Sequence, residues 1–298
     1  MNQPFIIGSV KTPTGDIPKI SSDLSRRDHW GSIKARWGVG RMHYTVDPGL
    51  YALGAPNERS PVLVTANYKM SFDRLREALS KRHAWILVLD TNGINVWCAA
   101  GKGTFGTDEL VRRIEYSQLN RVVSHTELIL PQLAGPGVAA HKVKKRTGFK
   151  VLYGPIQATD LPAFLDAGME ATPNMRRKTF TMLERVVLIP VELVSAFKWS
   201  LLILPAFFLL GGVGAPSGFW QGVLNDGLFA VLHLLGALLA GAVLTPILLP
   251  WLPGRAFSQK GLIMGLITTL FITLFGAFYL NIRQDYMNIM AWFFLAPA

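Results

Sequence analysis

Apolar and polar positions alternate in two different ways along this chain. In the first half, short apolar runs are separated by helical patterns. "SPVLVTANY" (60–68) predicts a strand ending in a polar turn. "SFDRLREALSKR" then predicts a helix, with Ser71 as its cap and leucines 75 and 79 at helical spacing. "AWILVLD" is a buried strand closed by the turn signal "TNG". "TDELVRRIEYSQL" predicts a further helix capped by Thr107, with two acids in its first turn. "LILP" and "FKVLYG" predict two more strands, and "LPAFLDAG" a short helix stopped by Gly168. Strands alternating with helices predict an α/β layered sheet of Rossmann-like type, with ligands outside the strand C-terminal ends. Thr65, Ala66, Asn67, residues 91–106, Pro131 and Gly154-Pro155 would then share one rim.

The second half has a different pattern. Trp199 to Asn225, Gly227 to Gly254 and Gly261 to Ile282 are almost free of charge, and each is long enough to cross a bilayer as a helix. A fourth run, "MNIMAWFFLAPA", meets the chain end before any polar flank, which predicts a truncated last span. "VVLIPVELVSAFK" (186–198) is apolar but holds Glu192 and Lys198, and fits either a tilted helix or an interfacial segment. These patterns predict an α/β domain over 1–170, a basic linker over 171–185 and an all-α transmembrane domain of about four spans over 186–298.

Charge sharpens this division. Residues 186–298 hold only Lys198, Arg255, Lys260 and Arg283 against Glu192, Asp226 and Asp285, so almost all of the net +11 lies in the first 185 residues. Arg176, Arg177, Lys178 and Arg185 precede the first span, the next loop has no Lys or Arg, and the one after has two. This alternation predicts a multi-pass protein of the cytoplasmic (inner) membrane with its N-terminal domain in the cytoplasm. The first residues lack a basic n-region and a long apolar run, so no signal peptide is predicted. The basic run "HKVKKRTGFK" (141–150) has no interleaved aromatics for base stacking, and attraction to lipid headgroups suits it better than nucleic acid. His233, without a second His or an acid nearby in sequence, fits packing or a helix–helix hydrogen bond better than a proton relay.

The glycines at 101, 103 and 106 spell G-x-G-x-x-G. A dinucleotide loop would need an acid at the end of the next strand, and Glu127 falls at its start. Attention therefore moves to Cys98, the chain's one cysteine. A single thiol excludes an internal disulfide, a four-cysteine cluster and a cysteine-built zinc site within these residues. On composition alone it fits a small buried hydrophobe.

"NVWCAAGKGTFGTDEL" closely resembles the cap-helix signature of the mercury-methylating corrinoid proteins, the HgcA family. "VTANYKMSFDRLREAL", "ILVLDTNGINVW" and "VLYGPIQATDLPAFL" are similar to the corrinoid-binding domain of the corrinoid iron–sulfur protein large subunit. The resemblance covers most of residues 35–185. It implies a corrinoid cofactor (cobalamin or a related cobamide) held by Thr65, Asn67, Asn95, Val96, Trp97, Cys98, Ala99, Ala100, Gly101 and Lys102. It also implies the Cys98 thiolate as lower axial ligand of the cobalt and as the catalytic residue. A thiolate suits a transition metal and favours cobalt(III), the state left when methyl departs as a carbanion equivalent to Hg(II). Recharging from a cation donor needs cobalt(I), so Cys98 is expected to dissociate on reduction and rebind afterwards. The implied partners are a small ferredoxin with two 4Fe-4S clusters, which supplies electrons and delivers Hg(II), and a methyl donor protein or methylated pterin. The implied activity is a methyltransferase forming methylmercury. A corrinoid methyl carrier with another acceptor, and a transporter or receptor with a cytoplasmic ligand-binding domain, are the alternatives. The family generally continues past its last span with a polar tail, and this sequence stops at Ala298.

Overall fold

A strand covered on both faces has no polar side to show, and two segments of the chain are apolar enough for that. Strands β4 (Val62–Ala66) and β5 (Ala84–Leu89) are buried at every position. They form the centre of a seven-stranded sheet with β1 (Ile6–Thr12), β2 (Gly15–Ile20), β3 (Gly49–Leu53), β6 (Glu127–Leu130) and β7 (Lys150–Tyr153), in the order β1-β2-β3-β5-β4-β6-β7. β5, β4, β6 and β7 run parallel, and β3 pairs antiparallel with β5. The computed structural model describes residues 3–295, with side chains as far as Phe278. Contacts divide the chain into an α/β unit (Met1–Ala35 and Val39–Thr179) and a helical unit (Arg36–Gly38 and Phe180–Ala298).

Successive strand side chains point to opposite faces, which gives the sheet two cores. Val62, Val64, Trp85, Leu87 and Leu128 line one, and Leu63, Ile86, Val88 and Ile129 the other. The helices of the α/β unit are α1 (Arg26–Arg36), α2 (Lys69–Ala78), α3 (Val96–Lys102), α4 (Thr107–Tyr116), α5 (Leu119–Val122), α6 (Ala140–Thr147) and α7 (Leu161–Asp166). Leu110 and Ile114 of α4 and Val143 of α6 pack into the first core, Phe72 and Leu75 of α2 and Phe164 of α7 into the second. The result is a helix–sheet–helix sandwich.

Two local expectations need correction. Helix α2 starts at Lys69 with Tyr68 as its cap, so Ser71 lies inside it. The Lys69 N–H is already taken by the Tyr44 carbonyl at 2.9 Å, so no hydroxyl is needed there. Thr107 is likewise the first residue of α4, and Gly106 precedes it as the cap. The basic run at 141–150 is mostly α6, which buries Val143 and exposes its lysines. Helix α2 is also tied to α1 by a buried ion cluster, in which Lys69 bridges Asp28 (2.6 Å) and Asp73 (2.7 Å), and Arg76 contacts both acids. Burial by itself raises the Asp28 carboxyl. Hydrogen bonds from Lys69 and Ser25 outweigh this and hold it well below the usual carboxylate range.

The segment expected as a basic linker, 171–185, is divided between the two units. Its first part joins the α/β unit, where Ile156 N–H donates to the Met175 carbonyl. Its last part begins the helical unit, where Thr181 and Glu184 form a capping box on α8 (Met182–Val186). Helix α9 (Ile189–Leu210) follows and contains Glu192 and Lys198, so 186–198 opens a long helix. The uncharged stretch from Trp199 is broken after Leu210 by a glycine-rich turn. Helices α10 (Phe219–Gly222), α11 (Leu228–Leu239) and α12 (Thr245–Leu248) are joined by π-helical turns at Val223–Gly227 and Ala240–Leu244, and α13 spans Phe257–Leu295. Met182–Leu210, Phe219–Leu248 and Phe257–Phe278 are long and apolar enough to cross a membrane, with mean hydropathies of 2.0, 2.3 and 2.1. The fourth run, 287–298, lies outside the residues whose side chains are described.

Among the described residues, these helices pack through small residues and through a polar contact between His233 and Thr273. A Cβ on Gly227 would lie 2.1 Å from the Phe208 carbonyl oxygen, so the two backbones touch there. His233 Nε2 lies 3.1 Å from the Thr273 hydroxyl, across two helices, and its Nδ1 2.9 Å from the Phe229 carbonyl.

Candidate functional site

The strand order creates the site. From β4 the chain crosses to β5 on one side, then returns past β4 to β6 on the other. Helix α2, after β4, packs on one face of the sheet and α6, after β6, on the other, so the loops after β4 and β6 part between these neighbouring strands, where open α/β sheets bind ligands. Of the residues expected to share a rim, Asn67, 91–106, Pro131 and Gly154-Pro155 follow the C-terminal ends of parallel strands, whereas Thr65 and Ala66 are buried as the last residues of β4 itself.

Helix α3 lies across this point and has two faces. Trp97, Cys98, Gly101 and Lys102 are exposed, and their spacing puts them on one stripe of the helix. Ala99 and Ala100 are buried, and Val96 packs beside them against the first core. Small residues on the inner face let the helix sit close. A Cβ on Gly137, in the loop after β6, would lie 2.2 Å from the Phe105 carbonyl oxygen and 3.0 Å from Ala100 Cα. The helix opens with Asn95 as N-cap, whose Oδ1 accepts from Cys98 N–H at 2.9 Å, and closes on Gly103 in the left-handed region. Cys98 is thus not the buried small hydrophobe that composition suggested, because its thiol side is exposed.

A buried clamp holds the turn before this helix. Asn67 is 6% exposed, and its Oδ1 accepts from Thr91 N–H (3.1 Å), Thr91 Oγ1–H (2.8 Å) and Gly93 N–H (3.0 Å). Its Nδ2 donates to Asp90 Oδ1, which also accepts from Asn92 N–H. Gly93 has φ +70°, and a Cβ there would lie 2.7 Å from the Met42 carbonyl oxygen, so glycine is required. Glu109, buried at the start of α4, accepts from Asp90 N–H at 2.9 Å and is held by Arg112 and Arg113.

The ten residues implied as cofactor contacts therefore separate by position. Trp97, Cys98, Gly101 and Lys102 reach one open surface. Val96, Ala99 and Ala100 anchor the helix from below, and Asn95 caps it. Thr65 is buried within β4, and Asn67 is occupied in the clamp. Sequence reasoning missed Asp90, Glu109 and Gly137, which fix the surface without lying on it. The signal for Asp90 was the Asp-Thr-Asn-Gly order, an Asx-turn pattern.

The second rim loop is also fixed. Tyr153 Oη–H donates to the Val138 carbonyl at 2.7 Å, and burial pushes its phenol pKa up. Ala139 N–H donates to Thr107 Oγ1, which explains why that hydroxyl does not cap α4. Among the described residues, no three His, Cys, Asp or Glu side chains converge as a metal site. The donor set at the rim is one soft, exposed sulfur on a rigid helix. That fits a metal already held by its own organic ring, which needs one protein ligand.

Comparisons with known proteins bear on the same region. Residues 40–165 match the family described as CO dehydrogenase/acetyl-CoA synthase delta subunit. The acetyl-CoA decarbonylase/synthase complex subunit gamma of Methanopyrus kandleri is 33% identical over 123 residues, covering 41% of this chain and 26% of that protein. Subunit gamma 2 of the same complex in Methanosarcina thermophila is 32% identical over 130 residues, 42% of this chain and 27% of that protein. The corrinoid/iron-sulfur protein large subunit of Moorella thermoacetica is 29% identical over 126 residues, 42% and 28%. This chain spans about a quarter of the length of these relatives. The α/β unit with its cap helix is therefore similar to a domain of the corrinoid/iron-sulfur protein large subunit.

Proposed function

We propose that this chain is a membrane-anchored, corrinoid-dependent methyltransferase that transfers a methyl group to Hg(II) as substrate, in which the Cys98 thiolate would be the protein's ligand to the cobalt. The observation that carries this reading is the placement of the chain's one thiol on the open face of a helix clamped at the sheet's switch point. A bound corrinoid supplies a cobalt that accepts and releases methyl groups. The protein's own residues present the sulfur and keep it in place. Asn95 fixes the first turn of α3, Ala99 and Ala100 bury its back, and the Asn67–Asp90–Glu109 clamp fixes the turn before it. Trp97, Gly101 and Lys102 provide the exposed surface around Cys98.

With Cys98 engaged by cobalt, these residues offer no second thiol to capture mercury. Delivery of Hg(II) therefore belongs to a partner's cysteines, and the small ferredoxin with two 4Fe-4S clusters fits that task and the supply of electrons. A methylated pterin or a methyl donor protein would recharge the site. The three apolar helices tether the domain to the lipid bilayer, in this reading the cytoplasmic membrane with the α/β unit inside the cell.

The test is methylmercury formation in an anaerobic host carrying the full chain and its ferredoxin. Cys98→Ala is expected to abolish it, and retained production would remove the mechanism. A second reading keeps the corrinoid and gives it another methyl acceptor. The similarity to subunits of acetyl-CoA decarbonylase/synthase complexes favours it. Corrinoid binding through Cys98 without any methylation of Hg(II) would decide for that reading.

A further inference from the structure

The helical unit contains a cavity of about 560 Å³, within the size range of small-molecule sites. Its walls are apolar, with Ala237, Gly241, Pro246 and Leu249 among them, and two charged side chains join them, Arg185 and Glu192. Arg185 is 8% exposed, its Nη1–H donates to the Phe180 carbonyl at 3.0 Å, and its Nε–H is buried without a partner among the described residues. A buried guanidinium N–H left without an acceptor is costly, and an incoming acceptor would relieve that cost. Glu192, one turn into α9, is exposed and contributes the opposite charge.

The wall facing these charges is opened by backbone geometry. The π-helical turn Ala240–Leu244 widens the helix where Gly241 and Ala242 line the cavity. Thr245 Oγ1–H donates to the Ala240 carbonyl at 2.7 Å, an oxygen that also accepts the Thr245 N–H in the widened turn. A Cβ on Gly241 would meet nothing within 4 Å, so the opening is not filled by a neighbour.

From these features we infer that the cavity binds one zwitterionic phospholipid of the ethanolamine class. Its phosphate accepts from the Arg185 guanidinium, its ammonium pairs with Glu192, and an acyl chain lies along the small-residue wall. The inference rests on the reading of the helical unit as membrane-embedded and does not depend on the corrinoid chemistry. A purely anionic lipid would satisfy Arg185 and place its remaining negative charge against Glu192. A free phosphate would leave the apolar wall uncovered.

The experiment uses the full chain in detergent, with bound molecules counted by native mass spectrometry. The probes are dihexanoyl phosphatidylethanolamine, dihexanoyl phosphatidylglycerol and inorganic phosphate. The wild type should bind one ethanolamine lipid with about fivefold preference over the glycerol lipid, the discrimination expected of one partly exposed ion pair. Arg185→Gln should weaken both lipids about tenfold or more, as for loss of a charged hydrogen bond. Glu192→Gln changes an exposed side chain, so folding is preserved, and it should erase the preference while leaving the glycerol lipid's binding unchanged. Gly241→Leu should weaken both lipids by filling the wall. Equal binding of the two lipids by wild type, competition by phosphate alone, or a Glu192→Gln profile identical to wild type would each overturn the inference.

Discussion

Replacing Asn67 by Ala tests whether the site depends on a clamp that never touches the surface. The substitution removes an oxygen that accepts three hydrogen bonds and an amide that donates to Asp90. Thr91 Oγ1–H keeps the Ile94 carbonyl at 2.7 Å, so it is not stranded. The Thr91 and Gly93 N–H groups lose their partner in a buried setting, at about 1–3 kcal/mol each before relaxation. Partial water entry reduces this, and about 2–4 kcal/mol of local stability should be lost. At about 1.4 kcal/mol per tenfold, amide exchange at Thr91, Gly93 and Cys98 should accelerate by about 30- to 1,000-fold. Hydrogen–deuterium exchange with mass spectrometry on the full chain reads this directly, with peptides from β6 and β7 as internal controls. Asn67→Asp adds a contrast, because its second oxygen would face Asp90 across the present 3.1 Å contact, and acidification should partly relieve the repulsion. Unchanged exchange over residues 91–98 in Asn67→Ala would refute the clamp.

Other outcomes follow from the same contacts. Gly137→Val places side-chain carbons against the Phe105 carbonyl and Ala100, so α3 should be displaced and corrinoid binding weakened while β-sheet content by circular dichroism is kept. The Asp28 carboxyl is held low in the folded protein, so its contribution is fully present above the unfolded value of about 3.9 and is lost as pH falls through the folded one. The Tm of the full chain should therefore stay level from neutral pH down to about 5 and drop below about 4, and Asp28→Asn should lower it by the equivalent of about 3–5 kcal/mol at neutral pH. Gly227→Leu forces apart the helix contact at Phe208, and detergent-solubilised protein should lose thermal stability in the helical unit, seen as earlier aggregation on heating.

Much of this was written in local sequence, and what was not depends on pairing. The largely apolar strands β4 and β5 announce their burial on both faces, and the turn residues after them point to the rim. The clamp could not be seen, because it joins Asn67 to Asp90 and Thr91 across two parallel strands whose adjacency only the fold decides. Ser71 and Thr107 misled for a related reason. The groups they would have served, or their own oxygens, are used by distant backbone at Tyr44 and Ala139. Helix α6 was hidden because its apolar stripe is a single buried residue, Val143, among lysines. The hairpin of β1 and β2 was likewise not anticipated, since its exposed alternation around Gly15 carries little apolar signal. Cys98 could be found by its motif alone, but its exposure depends on which side of α3 the alanines bury, and that is a property of the packed rim.

The central claim is that the Cys98 sulfur coordinates cobalt. Cobalt-edge X-ray absorption of the full chain loaded with cobalamin in the cobalt(III) state measures this most directly, with Cys98→Ala as the comparison. A sulfur scatterer in the cobalt shell of the wild type, absent from Cys98→Ala, is the predicted result. Identical spectra for the two proteins would contradict the account.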